Sequence, residues 1–453
     1  MGSNWKTARL LDQYEVRSGL SKPAKDFGTG YPFLTFKDVF YNYFTPEVLG
    51  DLVESTDKER DGCSVKRGDV FLTRTSETMN ELGMSCVALK DYEGATFNGF
   101  CKRLRPNEQC ELVPEYVGYY LRSPKFRQAM LAFSTMSTRA SLNNEMIGRL
   151  EISYPSKQEQ RHIAHVLKTL DNKITLNRQI NQTLEQMAQT LFKSWFVDFD
   201  PVIDNALDAG NPIPDGLQHR AKARKAVRES EGFKPLPDDV RQLFPDAFEE
   251  SELGWVPKGW VVSTAGDEFK VKGGSTPSTK CAEFWEGGDI HWTSPKDLSG
   301  KAEKILLDTE RKITTSGLRK ITSGLLPPET VLMSSRAPVG YLAMTKIPVA
   351  INQGYIAITE SKSLTQEFAL YWLDSKIEMI KSISGGTTFA EISKKTFRTI
   401  PIVVPSAQSA NAFSETVALY LSKISKNVEE CRSLGALRDS LLPKLISGEL
   451  EII

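Results

Sequence analysis

Two short runs of hydroxyl and basic side chains are the best candidates for specific polar contacts. Thr73-Arg74-Thr75-Ser76 follows the apolar run Val70-Phe71-Leu72, and Ser334-Ser335-Arg336 follows a similar apolar run. Arginine presents a fork of donors that matches the acceptors of guanine, and hydroxyl groups can bond phosphates or base edges. These residue types therefore favour contacts with a nucleic acid over covalent chemistry.

A second set of candidate contact residues has the same types of hydroxyl and basic side chains as the first two runs, but a less regular spacing. Two loops contain Thr138 and Arg139 in the first half and Thr387 and Thr388 in the second. The lysines predicted to contact phosphates are Lys37, Lys296, Lys394 and Lys395. Each residue alone could belong to an ordinary solvated loop, and the pairing of similar loops at corresponding places is what strengthens the set.

The elements that must position these residues occur twice in the sequence. A displacement of 250 positions places residues 134–191 on residues 384–441 without a gap, and 12 of the 58 pairs are identical. Weaker matches precede this stretch: Trp5 with Trp260, Gly19 with Gly274, and Lys37-Asp38 with Lys296-Asp297. Coincidental similarity of two unrelated helices is the alternative, but the match begins upstream of the helices and includes Pro155 and Pro405. An internal repeat is predicted.

Each repeat ends in a predicted long helix with an apolar seam. Seam positions recur at spacings of three and four residues. They include Leu170, Ile174, Asn177, Leu184, Tyr420, Ile424, Asn427 and Leu434. Helices of this length with one apolar stripe need a partner in water, so we expect them to pack on each other. A pseudo-twofold relation makes them antiparallel and predicts that Asn177 faces Asn427, fixing the register at some cost in stability.

These patterns give an α+β fold class with two globular domains separated by an antiparallel coiled coil. The globular domains are predicted at 1–155 and 255–405, the helical regions at 156–199 and 406–453, and a linker at 200–254. The linker contains a basic helix candidate around residues 219–228. That helix predicts either a solvated face or, as a sharper alternative, a contact surface for DNA or a partner.

Motifs of catalysis are missing from the sequence. The run from Gly273 to Pro277 does not continue into the phosphate-binding pattern G-x-x-x-x-G-K-[ST], and the Asn-Pro pair at Asn211 does not match the N-P-P-[YF] motif of amino-methyltransferases. His162 and His165 lie three residues apart, but the repeat places alanine and glutamate at their counterparts. We therefore expect a binding protein with no catalytic residues, no cofactor and no metal.

Composition limits the remaining classes. The 453 residues carry 57 basic and 57 acidic side chains, and this neutral total counts mildly against nucleic-acid binding unless it hides a basic face. No apolar run approaches the length of about 18–20 residues that a membrane helix needs, and no secretory signal is visible. Six scattered cysteines without a C-x-x-C pair favour reduced thiols. A cytoplasmic protein without membrane contact is expected.

Several phrases together resemble the specificity subunits of type I restriction–modification systems, over nearly the whole chain. The phrases are P-S-K-Q-E-Q-R-H-I-A from Pro155, L-F-K-S-W-F-V-D-F-D-P-V from Leu191, E-L-G-W-V-P-K-G-W from Glu252, S-S-R-A-P-V-G-Y from Ser334, the S-G-G-T-T loop from Ser384, and L-L-P-K-L-I-S-G-E-L from Leu441. Each is weak alone, whereas their order is specific. The first globular part lacks a clear S-R-A-P match, which predicts that the two parts recognise different targets.

The resemblance implies two target-recognition domains, each reading a short half-site of double-stranded DNA, held apart by the coiled coil. It also implies two methyltransferase subunits docked on the helical regions and a motor-nuclease restriction subunit in the full complex. A rigid spacer predicts an asymmetric bipartite target with a gap of fixed length, much as half-site spacing reflects protein dimensions in dimeric regulators. Two other classes stay open: a coiled-coil adaptor that binds proteins, and the specificity half of a self-sufficient restriction enzyme.

Overall fold

The computed structural model describes residues 5–76, 81–132, 140–385 and 390–450. Within these ranges no helix is long and apolar enough to cross a membrane. The chain forms two compact units, one from Met1–Leu176 with Glu430–Ile453 and the other from Asn177–Glu429. Each unit therefore combines one globular part with one half of each long helix.

The first unit alternates short strands and short helices before its long helix. The strands are β1 (Lys6–Arg9), β2 (Tyr14–Ser18), β3 (Phe27–Leu34), β4 (Asp51–Val53), β5 (Val70–Thr73), β6 (Thr75–Ser76), β7 (Ser85–Val87), β8 (Thr96–Phe97), β9 (Cys101–Pro106), β10 (Ala140–Ser141) and β11 (Glu151–Tyr154). The helices are α1 (Leu10–Gln13), α2 (Phe36–Tyr41), α3 (Asp57–Gly62), α4 (Pro114–Tyr120), α5 (Pro124–Ala132) and α6 (Asn144–Arg149), and α7 (Lys157–Phe196) follows them.

An antiparallel sheet in the order β2-β9-β5-β7 forms the centre of the first unit. All four residues of β5 are buried, as expected for an apolar strand between two neighbours. Tyr116 of α4 and Phe126 of α5 belong to the same apolar cluster as Val70 and Leu72 of β5. The core thus fixes where β5 ends and the first polar run begins.

The second unit repeats this plan with a connecting segment before it. Its strands are β12 (Phe248–Ser251), β13 (Gly254–Pro257), β14 (Val261–Thr264), β15 (Phe269–Lys272), β16 (Ile290–Thr293), β17 (Ile305–Leu306), β18 (Arg311–Ile313), β19 (Val331–Ser334), β20 (Leu342–Thr345), β21 (Ala350–Ile351), β22 (Tyr355–Ser361) and β23 (Pro401–Val404). Its helices are α8 (Asp200–Ala209), α9 (Gln218–Arg228), α10 (Asp238–Arg241), α11 (Ala265–Glu268), α12 (Thr315–Leu318), α13 (Gln366–Ile383) and α14 (Lys394–Arg398), and the second long helix, α15 (Ala407–Ser447), follows them.

The predicted repeat is confirmed in the strand pairing. The central sheet of the second unit has the order β15-β22-β19-β20-β17, with β19 in the position of β5. A two-stranded ribbon leads into the long helix in each unit, and Lys6 pairs with Tyr154 as Val261 pairs with Val404. Because β11 and β23 are separated by the same 250 positions as the helices, the sequence match extended through them.

The long helices run antiparallel within each unit, as predicted. In the first unit Arg438 Nη1 donates to Asp171 Oδ1 at 2.6 Å and Cys431 Sγ donates to the carbonyl of Ile174 at 3.7 Å, so the pairing advances along α7 as it retreats along α15. In the second unit the rings of Phe192 and Phe413 lie 5.5 Å apart. Ile174 and Ile424 are buried in the seam, whereas Leu170, Leu184, Tyr420 and Leu434 are half-buried.

The amide register differs from the predicted one. Asn427 Nδ2 donates to Asn181 Oδ1 at 2.8 Å, and both side chains are buried. The expected partner, Asn177, lies one turn earlier on α7. Seam periodicity shows which face of a helix a residue occupies. The residue that it faces on the other helix depends on where the two helices cross. The predicted partner of Asn427 was therefore wrong by one helical turn.

The basic helix of the connecting segment, α9, bonds the neighbouring helix α8 of the same segment. Arg224 of α9 donates to both carboxylate oxygens of Asp204 at 3.0 and 2.6 Å, and Arg228 donates to Asp208 at 2.5 Å. The bond from Arg228, together with the bond from Arg241, lowers the pKa of Asp208. The arginines therefore hold α9 against α8, which argues against a DNA contact surface on this helix.

A buried carboxylate of α7 is shared by the globular part of the second unit. Glu185 is 6% exposed and accepts hydrogen bonds from the Tyr371 hydroxyl at 3.0 Å and from the Lys304 backbone N–H at 3.2 Å. Lys304 Nζ lies 3.4 Å from the same carboxylate. Burial, and then the charge of Glu185, raise the pKa of Tyr371, so the phenol stays protonated and donates.

Replacing Glu185 with alanine should lower the free energy of unfolding of the second unit by about 2 kcal/mol, because the buried Tyr371 hydroxyl loses its acceptor and Lys304 is left with its ion pair to Asp374 at 3.5 Å. Urea unfolding followed by tryptophan fluorescence measures the change. Glu415→Ala, at an exposed position of α15, is the control and should change stability by less than about 0.5 kcal/mol. Equal losses for the two variants would show that Glu185 is not an anchor.

Candidate nucleic-acid interface

The two predicted polar runs leave corresponding ends of β5 and β19. Thr73 Oγ1 accepts a hydrogen bond from the Met84 N–H at 2.9 Å, and Ser334 Oγ accepts one from the Tyr341 N–H at 2.7 Å. Both hydroxyl-bearing residues are fully buried, and Ser335 is only 3% exposed. Thr73 and Ser334 therefore close the base of a loop, and none of the three side chains is free to meet a ligand.

A second turn lies against each of these loops. Asn98 Oδ1 accepts from the Phe100 N–H at 2.8 Å, and Asn352 Oδ1 accepts from the Gly354 N–H at 2.8 Å. Each asparagine directly follows a short strand, β8 or β21, that pairs in parallel with β3 or β16. The side chain of asparagine bonds its own backbone two residues on, which is a common way to fix a turn.

In both units backbone hydrogen bonds join three segments: the polar run, the asparagine turn, and the segment at Leu142 or Ile392. The bonds run from Arg74 N to Phe100 O at 2.8 Å, from Leu142 N to Arg74 O at 2.8 Å, from Ser335 N to Gly354 O at 2.8 Å, and from Ile392 N to Ser335 O at 3.0 Å. The framework is thus the same in both units, and only the side chains that it presents differ.

A fourth segment approaches closely through the matched glycines. A Cβ atom on Gly19 would lie 2.2 Å from the carbonyl oxygen of Asn98, and one on Gly274 would lie 1.8 Å from that of Ile351. No other residue fits there without moving the backbone. The correspondence of Gly19 and Gly274, predicted from sequence, therefore has a steric cause.

In the first unit this framework presents two cations and an aromatic ring. The side chain of Phe100 is 61% exposed. Lys102 Nζ donates to Ser18 Oγ at 3.0 Å, and partial burial together with the charge of Arg74 lowers the pKa of Lys102. In the described part of the chain neither cation forms an ion pair. Neighbouring cations without a carboxylate suit phosphate oxygens, and an exposed ring suits a base.

In the second unit the same framework presents different groups. Arg336 Nη1 lies 3.7 Å from Glu391, a long ion pair between partly exposed side chains. Gln353 is exposed, and its Oε1 accepts from Thr276 Oγ1 at 2.7 Å. Lys394 Nζ lies 2.9 Å from the position of a Cβ on Gly273, so the glycine leaves room for the lysine over the backbone.

The remaining predicted residues have mixed positions. Thr75 and Ser76 form β6 and pair with β10. Lys37, Lys296 and Lys395 are exposed, and Lys296 is paired with Glu310 at 2.9 Å. Thr138, Arg139, Thr387 and Thr388 lie outside the described residues. Within the described ranges no group of three or more histidine, cysteine, aspartate or glutamate residues could hold a metal ion.

Sequence reasoning missed Phe100, Lys102, Thr276 and Gln353. A signal was present in Asn98 and Asn352, since each asparagine directly follows a short buried strand. The loops before these strands differ in length between the halves, so no constant offset aligned the two turns.

Comparison with known proteins agrees with this organisation. A family model described as "Type I restriction modification DNA specificity domain" matches residues 2–186 and 257–429. The type I restriction enzyme HindI specificity subunit of Haemophilus influenzae is 28% identical, covering 99% of this chain and 100% of the relative. The MjaIX specificity subunit of Methanocaldococcus jannaschii is 37% identical over 42% of this chain and 44% of the relative.

A solved structure shares the fold. The Type-I restriction-modification system S subunit from M. genitalium has a TM-score of 0.52 and 16% sequence identity, covering 98% of this chain and 97% of that one. The family model matches both halves of the chain and most of its length. This chain belongs to the family of type I restriction–modification DNA specificity subunits.

Proposed function

We propose that each unit reads one half of an asymmetric, bipartite double-stranded DNA target, and that the chain directs the methyltransferase and restriction subunits to it. The observation that carries this proposal is one backbone framework with unlike side chains at its tip. It presents Arg74, Phe100 and Lys102 in the first unit, and Arg336 and Gln353 in the second. The chain supplies recognition, and the catalytic steps lie with its partners.

The side-chain types predict different half-sites. Arg336 can donate two bonds to guanine and Gln353 can pair with adenine in the major groove. Phe100 can contact a thymine methyl group or wedge between base steps, while Arg74 and Lys102 hold phosphates. Lys37, Lys296, Lys394 and Lys395 are proposed as further phosphate contacts, and Thr75 and Ser76 as neighbours of the bound DNA.

Two exposed apolar side chains support a docking site on each helix. Met187 of α7 is 45% exposed and Leu437 of α15 is 46% exposed, and the two occupy the same slot of the 250-residue repeat. Single exposed apolar side chains are common on protein surfaces, but the repeat places one at the same position of both long helices, and this correspondence is what supports a contact. We therefore propose two methyltransferase subunits, one at Met187 and one at Leu437, with the restriction subunit completing the complex.

Met187→Asp and Leu437→Asp should each remove one methyltransferase subunit, because a carboxylate cannot be buried unpaired in an apolar contact. Native mass spectrometry of the co-purified complex counts the subunits. The double variant should lose both subunits, while Gln182→Asp, at an exposed polar position of α7, should lose neither. If both single variants retain full occupancy, the docking assignment is wrong.

Selection from a library of randomised duplexes tests the function itself. The complex with its methyltransferase should enrich one motif made of two short blocks separated by unselected positions of constant number. Binding should weaken steeply as salt rises, since phosphate contacts release counterions. Absence of enrichment, or enrichment of one contiguous block, would contradict the proposal and favour a protein-binding adaptor.

A further inference from the structure

A basic cleft lies along the first turns of α7 in the first unit. It has a volume of about 430 Å³, with Lys157, Arg161, His165 and Lys168 on the helix and Arg67 on another wall. The helical residues follow one another at intervals of four, four and three positions, so they share one face. The stripe is about 16 Å long.

The charge of this cleft is largely uncompensated. Glu115 is the one carboxylate among the lining residues, and Arg67 Nη2 bonds it at 2.6 Å. Although burial opposes it, the bond from Arg67 lowers the pKa of Glu115, so the carboxylate is ionised. Among the described residues, Lys157, Arg161 and Lys168 form no ion pair. Lys157 Nζ donates to the Cys110 carbonyl at 3.5 Å, and Lys168 Nζ lies 6.0 Å from the centre of the Phe44 ring. The three further cations therefore have no bonded carboxylate and can meet an anionic ligand.

The fold does not need these cations. The repeat places Ala407, Asn411, Glu415 and Ala418 at the positions of Lys157, Arg161, His165 and Lys168. The second unit builds the corresponding turns of α15 from those residues. Because the charge occurs in one unit only, its ligand is expected to bind the first unit alone.

The rest of the lining indicates the kind of anion. Leu112, Val113, Pro114 and Ala164 form an apolar part. The described lining includes no phenylalanine, tyrosine or tryptophan on which a base could stack, and its one ring is the imidazole of His165. Arg67 precedes β5, whereas Arg74 follows the end of that strand. The cleft and the proposed DNA loops therefore lie at opposite ends of β5.

We propose that this cleft docks an acidic, amphipathic segment of a partner protein. Carboxylates at helical spacing meet Lys157, Arg161 and Lys168, and apolar side chains on the same segment cover Leu112 and Pro114. A facing helix with Glu every fourth residue matches the spacing of the cations. The proposal is independent of DNA reading, since it uses none of the residues assigned to that role.

Fluorescence anisotropy with the full chain in its methyltransferase complex tests the cleft. The probe is a fluorescein-labelled peptide of about 16 residues of Glu, Leu and Ala, with Glu at every fourth position, long enough to span the stripe. We expect it to bind, and a peptide with Lys in place of Glu not to bind. The double variant Lys157→Glu/Arg161→Glu should weaken binding about tenfold or more, as reversed charges repel the probe.

Two further variants separate a loss of charge in the cleft from a general effect on the helix. Arg178→Glu, at an exposed position outside the cleft on the same helix, should leave the affinity within about twofold. Arg161→Gln keeps an exposed polar side chain and should give a smaller loss without unfolding. Unchanged affinity of the double variant would overturn the proposal. So would tighter binding of inorganic tripolyphosphate with the same residue dependence, because the cleft would then be a phosphate site.

Discussion

Replacing Arg336 with alanine should relax recognition at one position of one half-site and leave the other half-site intact. The expected cost is about 1–3 kcal/mol if the guanidinium bonds a base. Arg336 is partly exposed and its ion pair with Glu391 is long, so its removal leaves no buried group without a partner. The fold should therefore be unchanged, and the loss should appear only against DNA with the preferred base.

Competition binding with single-base substitutions through both half-sites measures this effect. Arg74→Ala in the first unit removes a proposed phosphate contact and should lower affinity about equally for every sequence. Lys222→Ala, on the exposed side of α9, is the control and should affect neither half-site. If Arg336→Ala lowers affinity equally for every sequence and reduces the salt dependence by one contact, the arginine binds a phosphate and the base assignment is wrong.

Placing a carboxylate at Ile424 should produce the largest loss of stability. The side chain is fully buried in the seam of α15, and an unpaired charge there is among the few changes that cost more than about 4 kcal/mol. Leu170→Asp should cost less because Leu170 is half-buried. Ile424→Leu keeps the apolar volume and should cost less than about 1.5 kcal/mol. Urea unfolding compares the three.

The same variants test whether the seam acts as a spacer. Where Leu170→Asp leaves the complex folded, it should bind targets with longer and shorter gaps more evenly than the unchanged chain does. Competition among duplexes that differ only in gap length gives the comparison. An unaltered preference, at reduced stability, would count against a fixed spacing set by the helices.

Much of the fold was predictable because the repeat keeps a constant offset of 250 positions through the long helices and the strands directly before them. The residues from β10 through α7 have their counterparts 250 positions later, in the stretch that contains α14, β23 and α15. Apolar spacing then identified the seam of the two long helices. The contact of Asn427 with Asn181 was not predictable, since periodicity gives the buried face of each helix but not the point at which the two helices cross.

The sequence located the candidate loops, but it did not show which of their side chains are buried. Thr73 and Ser334 have polar side chains, but each is the last residue of a buried central strand, where its hydroxyl bonds a backbone N–H. Residue type alone does not show that use. Phe100 and Gln353 were missed because an exposed aromatic and a turn glutamine become distinctive only when backbone bonds join Phe100 to Arg74 and Gly354 to Ser335.

Mapping adenine methylation across a plasmid library, with the chain co-expressed with its methyltransferase subunit, tests the central claim most directly. Methylation confined to one asymmetric motif of two half-sites with a constant gap is the predicted result, and it identifies both half-sites at once. Absence of methylation, together with no DNA binding by the purified complex at low salt, would contradict DNA recognition and indicate a protein adaptor.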